Sequence, residues 1–333
     1  MKKFLALIFV LASVTFASAA EKIPVKVLLL PKFEVAQLKG DFPGEAQYYY
    51  EAFLDGGEEY EINCGFENNK LHVKNGVALY VTGEGKVNAA LSTMAVLNDK
   101  RFDFSDAYII STGCGGGARD FAVMGDVFLA TAAVDYDLGR HADIRDMNDK
   151  NSTTWFHDKF FDNISSVKLN TKLIDKLYDL VKDVKLETTE FTRKTMKEEF
   201  NGASWAVREP KVMLGTCVTG DNFWKGIYDH NNALLITKTY ECREPFAITE
   251  MEDIAIGLVL RRMNMLERYI IIRDVVNMDV FILNSTPENL WGTNHSLISE
   301  NNMEALDIFP TAMKNNFAVG SVIVKAILNG GLL

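Results

Sequence analysis

Four short stretches carry the residue types best suited to chemistry. Ile271-Ile272-Arg273-Asp274-Val275-Val276-Asn277 is an apolar strand pattern interrupted by Arg273 and Asn277. An arginine inside a buried strand is costly unless it meets an anion or a carboxylate. Arg273 therefore faces a bound anion, or it forms a structural pair with Asp274. Asn277 offers a donor and an acceptor, which suits the edge of a heterocycle. Glu250-Met251-Glu252-Asp253 opens a helix. Acids in a first turn favour the helix dipole, and one of them could also accept hydrogen bonds from a vicinal diol such as that of a ribose. Thr219-Gly220-Asp221-Asn222-Phe223-Trp224 follows a strand pattern. Its adjacent aromatics could stack on a flat base or sugar, or cover the core. Thr112-Gly113-Cys114-Gly115-Gly116-Gly117 follows another strand pattern. It reads as an anion- or sugar-binding loop built from backbone N–H groups. A plain tight turn and a loose dinucleotide fingerprint are the rival readings.

These stretches need elements to position them. Apolar runs at 25–30, 77–82, 107–111, 126–134, 211–219 and 269–276 have strand length, with a further short strand at 234–237. Helical spacing covers 86–98, with Val87, Ala90, Leu91, Met94, Ala95 and Leu97 on one face, and also 171–182, 250–263 and 318–328. Residues 42–60 read as a loop plus a short helix. The alternation predicts an α/β fold: a single three-layer α/β/α domain over 21–333 with a central mixed, largely parallel sheet. In such sheets ligands bind beyond the carboxyl ends of the strands, so the residues just after each strand are the ones that matter.

Composition narrows the function further. With 48% hydrophobic residues the chain can bury a full core. A net charge of −10 argues against non-specific nucleic-acid binding. Cys64, Cys114, Cys217 and Cys242 are widely spaced, with no CxxC pair, so no metal site is expected. Lys2 and Lys3, the apolar stretch 4–15 and Ala17-Ser18-Ala19 read as a secretory signal over 1–20. The expectation is an exported protein, periplasmic or secreted, and soluble once cleaved. Export permits a disulfide without naming a pair. Later apolar runs are too short to span a bilayer, which excludes a self-sufficient multi-span carrier.

The order of the motifs adds a resemblance. Thr82-Gly-x-Gly-x-x-Asn-Ala-Ala90, Ser111-Thr-Gly-x-x-Gly-Gly117 with Gly125-Asp126-Val127, Thr219-Gly-Asp-x-Phe223, Met251-Glu252 and Arg273…Asn277 resemble purine nucleoside phosphorylases and related nucleosidases. Phe33-Glu34, Arg101-Phe-Asp103 and Asp135-Tyr-Asp137 extend the likeness to the purine nucleoside permease family, over roughly residues 24 to 330. The resemblance implies a nucleoside phosphorylase-like fold and a purine nucleoside ligand. It implies that Met251 and Glu252 hold the ribose, that Phe223 stacks on the purine, and that the Trp224 backbone touches the base edge. Arg273 would stand at the phosphate or attacking water, with Gly113, Cys114 and Gly115 beside it. Glu34 would lie near the carboxylate that activates the nucleophile. Asn277 would fall where nucleosidases carry the Asp that protonates the purine.

Two residues depart from the nucleosidase pattern. Asn277 cannot surrender a proton at neutral pH, and Cys114 is a weaker hydrogen-bonding group than serine. Three activities follow: cleavage of the N-glycosidic bond, nucleoside binding without cleavage, and binding of another small sugar or anion. No cofactor is expected, and phosphate enters only as a co-substrate of phosphorolysis. Nucleoside uptake would require a separate integral membrane transporter. The oligomeric state is left open, a homo-oligomer included.

Overall fold

The computed structural model describes residues 21–141, 155–156, 161–199, 207–280, 305–330 and 332. The leader expected over 1–20 lies outside the described residues.

In chain order the elements begin with β1 (Ile23–Pro24), β2 (Val27–Leu30), α1 (Gln47–Phe53), β3 (Glu58–Glu61), β4 (Lys70–Lys74), β5 (Val77–Leu79), α2 (Lys86–Leu97) and β6 (Phe102–Asp103). Next come β7 (Tyr108–Gly117), β8 (Val127–Asp135), β9 (Arg140–His141), β10 (Trp155–Phe156), α3 (Asp162–Ser165), β11 (Ser166–Lys168), α4 (Thr171–Val181) and α5 (Glu190–Glu199). The chain continues through β12 (Val212–Thr219), α6 (Ile227–Thr239), β13 (Phe246–Glu250), α7 (Asp253–Arg262), β14 (Tyr269–Met278) and α8 (Ala305–Leu328).

The main sheet runs β11-β8-β12-β13-β7-β2-β5-β4-β3, and β14 pairs with both β7 and β8. That double pairing closes β8-β12-β13-β7-β14 into a small barrel, from which β2, β5, β4 and β3 extend as an open sheet. The fold is mixed α/β, as expected, but the sheet is not largely parallel. Five of its pairings are parallel and five antiparallel. Within the ring β14 runs antiparallel to β8 and β13 antiparallel to β7, and the edge strand β11 and the β3-β4-β5 meander add the other antiparallel pairings. Helices α2 and α7 pack together, while α8 packs against α1, α4 and α5. The main core draws on residues from Val25 to Leu332.

Local chemistry sets the helix starts. The Asn170 side chain accepts from the N–H groups of Lys172 and Leu173 at 3.1 and 3.3 Å and caps α4. Glu250, at the end of β13, accepts from Glu252 and Asp253 N–H at 2.6 and 2.8 Å and caps α7. The acidic run thus spans a strand end and a helix start.

Several sequence expectations change. The glycine run is no loop: β7 continues through it to Gly117. A Cβ at Gly113 would lie 2.4 Å from Glu45 Oε1, at Gly115 2.4 Å from the Thr249 carbonyl, and at Gly116 2.7 Å from Asn277 Oδ1. Glycine is required here for close approach across the barrel, not to cradle an anion. The α2 face is turned round: Val87 and Leu91 are 68% and 62% exposed, and Ala89, Ser92, Thr93 and Val96 are buried. Small and hydroxyl side chains let α2 lie close to α7, so the bulkier residues are the ones displaced outward. Residues 234–237 belong to α6 rather than a strand, and the closing helix begins at Ala305.

Gly115→Ala drives a methyl into a backbone carbonyl on β13. It is expected to cost about 1–3 kcal/mol, read as a lower urea midpoint at unchanged m-value.

Candidate functional site

The barrel opens on a cavity of about 320 Å³, large enough for a small ligand. Its lining brings together Arg273, Asn277, Met251, Glu252, Phe223, Trp224, Cys114 and Gly115. These come from the ends of β14, β13, β12 and β7, so the barrel closure is what gathers the dispersed motifs.

Arg273 is buried in the floor. Its Nε donates to Asp253 Oδ2 at 2.9 Å, and Nη1 to the Cys114 carbonyl at 3.0 Å. Nη2 reaches Glu250 Oε2 at 3.1 Å, Glu252 Oε2 at 3.0 Å and Asp253 Oδ1 at 2.9 Å. Its partners are these three acids, not Asp274. Asp274 instead accepts from Asn316 Nδ2 at 2.8 Å, and burial pushes its carboxyl well above the ordinary range.

The second buried cation is Lys32. Its Nζ donates to the Leu30 carbonyl (2.5 Å), Ser111 Oγ (2.7 Å) and the Thr112 carbonyl (3.2 Å). Burial, with the Arg273 charge, lowers its pKa. All three of its ammonium protons have acceptors.

Four carboxylates face these two cations. Burial and the Asp253 charge push Glu250 up to about 8, against the Arg273 charge. Burial also raises Glu45, with Lys32 and Arg273 opposing. For Asp253, burial works upward, but Arg273, Lys32 and the Ser111 hydroxyl (2.5 Å) outweigh it and hold the group below its ordinary value. The floor thus carries excess acid.

Glu252 is placed as a diol ligand would require. Its Oε1 accepts from Gly85 N at 2.9 Å and its Oε2 from Arg273. Each oxygen keeps a further lone pair. Gly85 reaches it from a backbone with φ of 84°, a left-handed conformation open to glycine. Met251 lies half-buried beside it.

The two aromatics separate into the two roles the sequence allowed. Trp224 is buried and stacks on Tyr136 at 5.1 Å within a small core cluster. Phe223 lines the cavity while 68% exposed, as a stacking platform would be. The Asn277 amide has no hydrogen-bond partner among the described residues and lines the same cavity. Cys114 is a neutral thiol: burial and the Glu45 charge push it well up.

Two expected residues stand elsewhere. Glu34 does not line the cavity; its carboxylate accepts from the N–H groups of Val35 (3.0 Å), Gly44, Ala46 (3.1 Å) and Gln47 (2.8 Å), at the start of α1. Four backbone donors make it a loop clamp. Gly113 lies behind the lining, against the Glu45 carboxylate. The carboxylate from this segment that lines the cavity is Glu45, which accepts from Lys32 N at 2.7 Å and Cys114 N at 2.8 Å. Sequence reasoning missed it because residues 42–60 read only as loop and helix. The available signal was its place just before α1, opposite Pro31-Lys32, which follow β2. No disulfide joins any two of the four cysteines. Cys217, Glu250 and Asp253 cluster closely, but Arg273 already occupies the carboxylate side, and a cation there would meet its charge.

Residues 24–331 match the model of the purine nucleoside permease family. The chain belongs to the purine nucleoside permease family. A probable purine nucleoside permease of Schizosaccharomyces pombe is 32% identical over 164 residues, 44% of this chain and 47% of that protein. A 5′-methylthioadenosine/S-adenosylhomocysteine nucleosidase of Oceanobacillus iheyensis is 38% identical over 82 residues, 24% of this chain and 34% of the enzyme. The chain thus spans less than half the length of these curated relatives. The nucleosidase of the same name from Neisseria meningitidis superposes with a TM-score of 0.54 at 17% identity, over 90% of this chain and 99% of that one. Helicobacter pylori futalosine hydrolase gives 0.52 at 13%, over 91% and 98%. Permease family and nucleosidase-like fold therefore coincide in one chain.

Replacing Arg273 by methionine leaves three buried carboxylates without their cation and is expected to cost about 3–5 kcal/mol at neutral pH. Because Arg273 holds Asp253 below its ordinary pKa, that stability is present above the carboxylate range and is lost as pH falls through it. The deficit of Arg273→Met should therefore narrow toward acid pH, measured by denaturant midpoints across a pH series.

Proposed function

We propose that the protein binds purine nucleosides in this cavity and hydrolyses their N-glycosidic bond with water as the nucleophile. The observation that carries the reading is the joint placement of Glu252, Phe223, Asn277 and Glu45 around one cavity. Glu252 would accept hydrogen bonds from the 2′- and 3′-hydroxyls, and Phe223 would stack on the purine. The free Asn277 amide would hold the base edge. Glu45, raised by burial, would take the proton of the attacking water, as a base tuned toward neutral pH can. As the bond breaks, the ribosyl group becomes cationic, and the acidic floor stabilises that charge.

Water is favoured over phosphate by the commitments of the floor cations. Arg273 is engaged by three carboxylates and a carbonyl, and Lys32 by three acceptors. An incoming dianion would have to displace these partners. Lys225 also lines the cavity, so the phosphate test bears on it directly.

Export and service in nucleoside uptake are part of the same proposal. They rest on the leader pattern at 1–20 and on the family. No helix among the described residues is long and apolar enough to cross a membrane, so uptake would draw on an integral membrane partner.

The test is inosine or adenosine with pure protein, with and without phosphate, following free base. The expected result is base and free ribose, at a rate indifferent to phosphate. Ribose 1-phosphate as product would replace hydrolysis by phosphorolysis. Calorimetric binding with intact nucleoside would make the protein a non-cleaving binder. Glu45→Gln is expected to lower kcat about 10²- to 10⁴-fold. Glu252→Ala should weaken kcat/KM by roughly 10- to 150-fold, since hydrogen bonds to a charged group contribute about 1.5–3 kcal/mol.

A further inference from the structure

Asn277 cannot donate a proton, yet a purine leaves far more readily when N7 is protonated. A titratable group lies two residues further along the same strand end. Asp279 lines the cavity, and its side chain has no solvent exposure. Its Oδ2 lies 2.6 Å from His230 Nδ1, and its Oδ1 accepts from Arg119 N at 2.9 Å. His230, in the first turns of α6, is itself buried and packs edge-on to Phe246 at 5.7 Å. Its other nitrogen, Nε2, is 3.0 Å from Asp120 Oδ2, and the Asp120 side chain is 65% exposed. A continuous hydrogen-bonded path therefore runs from solvent through Asp120 and His230 to Asp279 at the cavity wall.

The path ends at the base side of the cavity. The Asp279 carbonyl accepts from Gly226 N at 2.9 Å, tying it to the segment that carries Phe223 and Trp224. Glu252, the diol ligand, is held by Gly85 N at 2.9 Å. We propose that Asp279 is the proton donor to the departing purine, recharged from solvent through His230 and Asp120. This rests on the hydrolytic reading of the cavity. In the step, the C1′–N9 bond breaks and its electrons enter the purine, whose N7 takes the Asp279 proton. Water adds to C1′ and gives its proton to Glu45. Asp279 then takes a proton from His230 Nδ1, and Nε2 is reprotonated by way of Asp120. Nucleoside plus water gives purine plus ribose, with both carboxyl groups restored by one net transfer through solvent.

The electrostatics suit the task. Burial raises Asp279 above its ordinary pKa, with the His230 hydrogen bond and charge opposing. Burial alone would lower His230, but Asp279 and Asp120 outweigh it and hold the imidazolium above its usual value. Arg119 is the other charged group acting on Asp279. His230 and Asp120 thus serve as relay and positioning residues, and Asp279 as the acid.

The test compares two substrates whose leaving groups differ in their need for a proton. Inosine needs one; 4-nitrophenyl β-D-ribofuranoside releases a stable phenolate without it. Asp279→Asn is expected to lose inosine cleavage by a factor about 10²–10⁴ greater than its loss on the nitrophenyl riboside. Equal losses on the two, or no loss on inosine, would overturn the assignment. Asp120→Ala tests the path at an exposed residue whose removal leaves the core intact. It takes away one of the two carboxylates that hold the proton on His230, so the upper pH limb of kcat for inosine should move to lower pH. An unmoved limb would overturn the relay. Wild-type protein that cleaves neither riboside would remove the hydrolytic reading, and this inference with it.

Discussion

The charge of Arg273 is the constraint on which the site depends. Its guanidinium sits on the strand that closes the barrel and binds the acids that end β13 and begin α7. Buried ion clusters are expensive to assemble and more expensive to break, so such a cluster fixes geometry rather than adding net stability. Here it fixes three things at once. It aims Glu252 at the cavity, it anchors the Cys114 carbonyl on β7, and it holds Asp253 against Ser111. A floor with more acid than base has a chemical consequence as well: it disfavours an anionic nucleophile and favours a cationic sugar.

The barrel closure supplies the setting for that cluster. β7 must pass between β13 and β14 with Glu45 pressed on it, and only a run of glycines leaves room. The same run in an open parallel sheet would suggest a phosphate loop. In this fold the backbone N–H of Cys114 is used by Glu45 instead. The glycines therefore serve the Glu45 carboxylate indirectly, by letting it approach the strand.

Much of this was legible in the sequence, and the failures share a cause. The strands at 27–30, 127–135, 212–219 and 269–278 and the helices α4 and α7 follow from local periodicity. So does the cost of burying Arg273, which pointed to acids although the neighbouring Asp274 was the wrong partner. Sheet direction, the exposed face of α2 and the role of Glu45 depend on long-range contacts that no window of the chain encodes. The clearest case is Glu34 and Glu45. Both are carboxylates before one helix, and only the folded path of the loop decides which meets backbone donors at α1 and which meets the cavity. Phe223 and Trp224 show the reverse: the sequence posed two roles, and the structure leaves Phe223 exposed at the cavity while burying Trp224 in a core cluster.

The end of β14 explains how one fold can tolerate an amide where a nucleosidase-like pattern has an acid. β14 ends at Met278, with a register irregularity between Val275 and Asn277, and Asp279 just past its end belongs to the lining of the same cavity. Moving the acid from 277 to 279 therefore keeps it at the cavity but changes its surroundings. At 277 the side chain abuts Gly116 and has no partner among the described residues. At 279 it meets a histidine that reaches a surface carboxylate. Recognition and protonation, which one aspartic acid could combine, are then divided between two residues. The amide is left free to read the base edge in either hydrogen-bonding sense, and the acid gains a route to solvent that position 277 lacks.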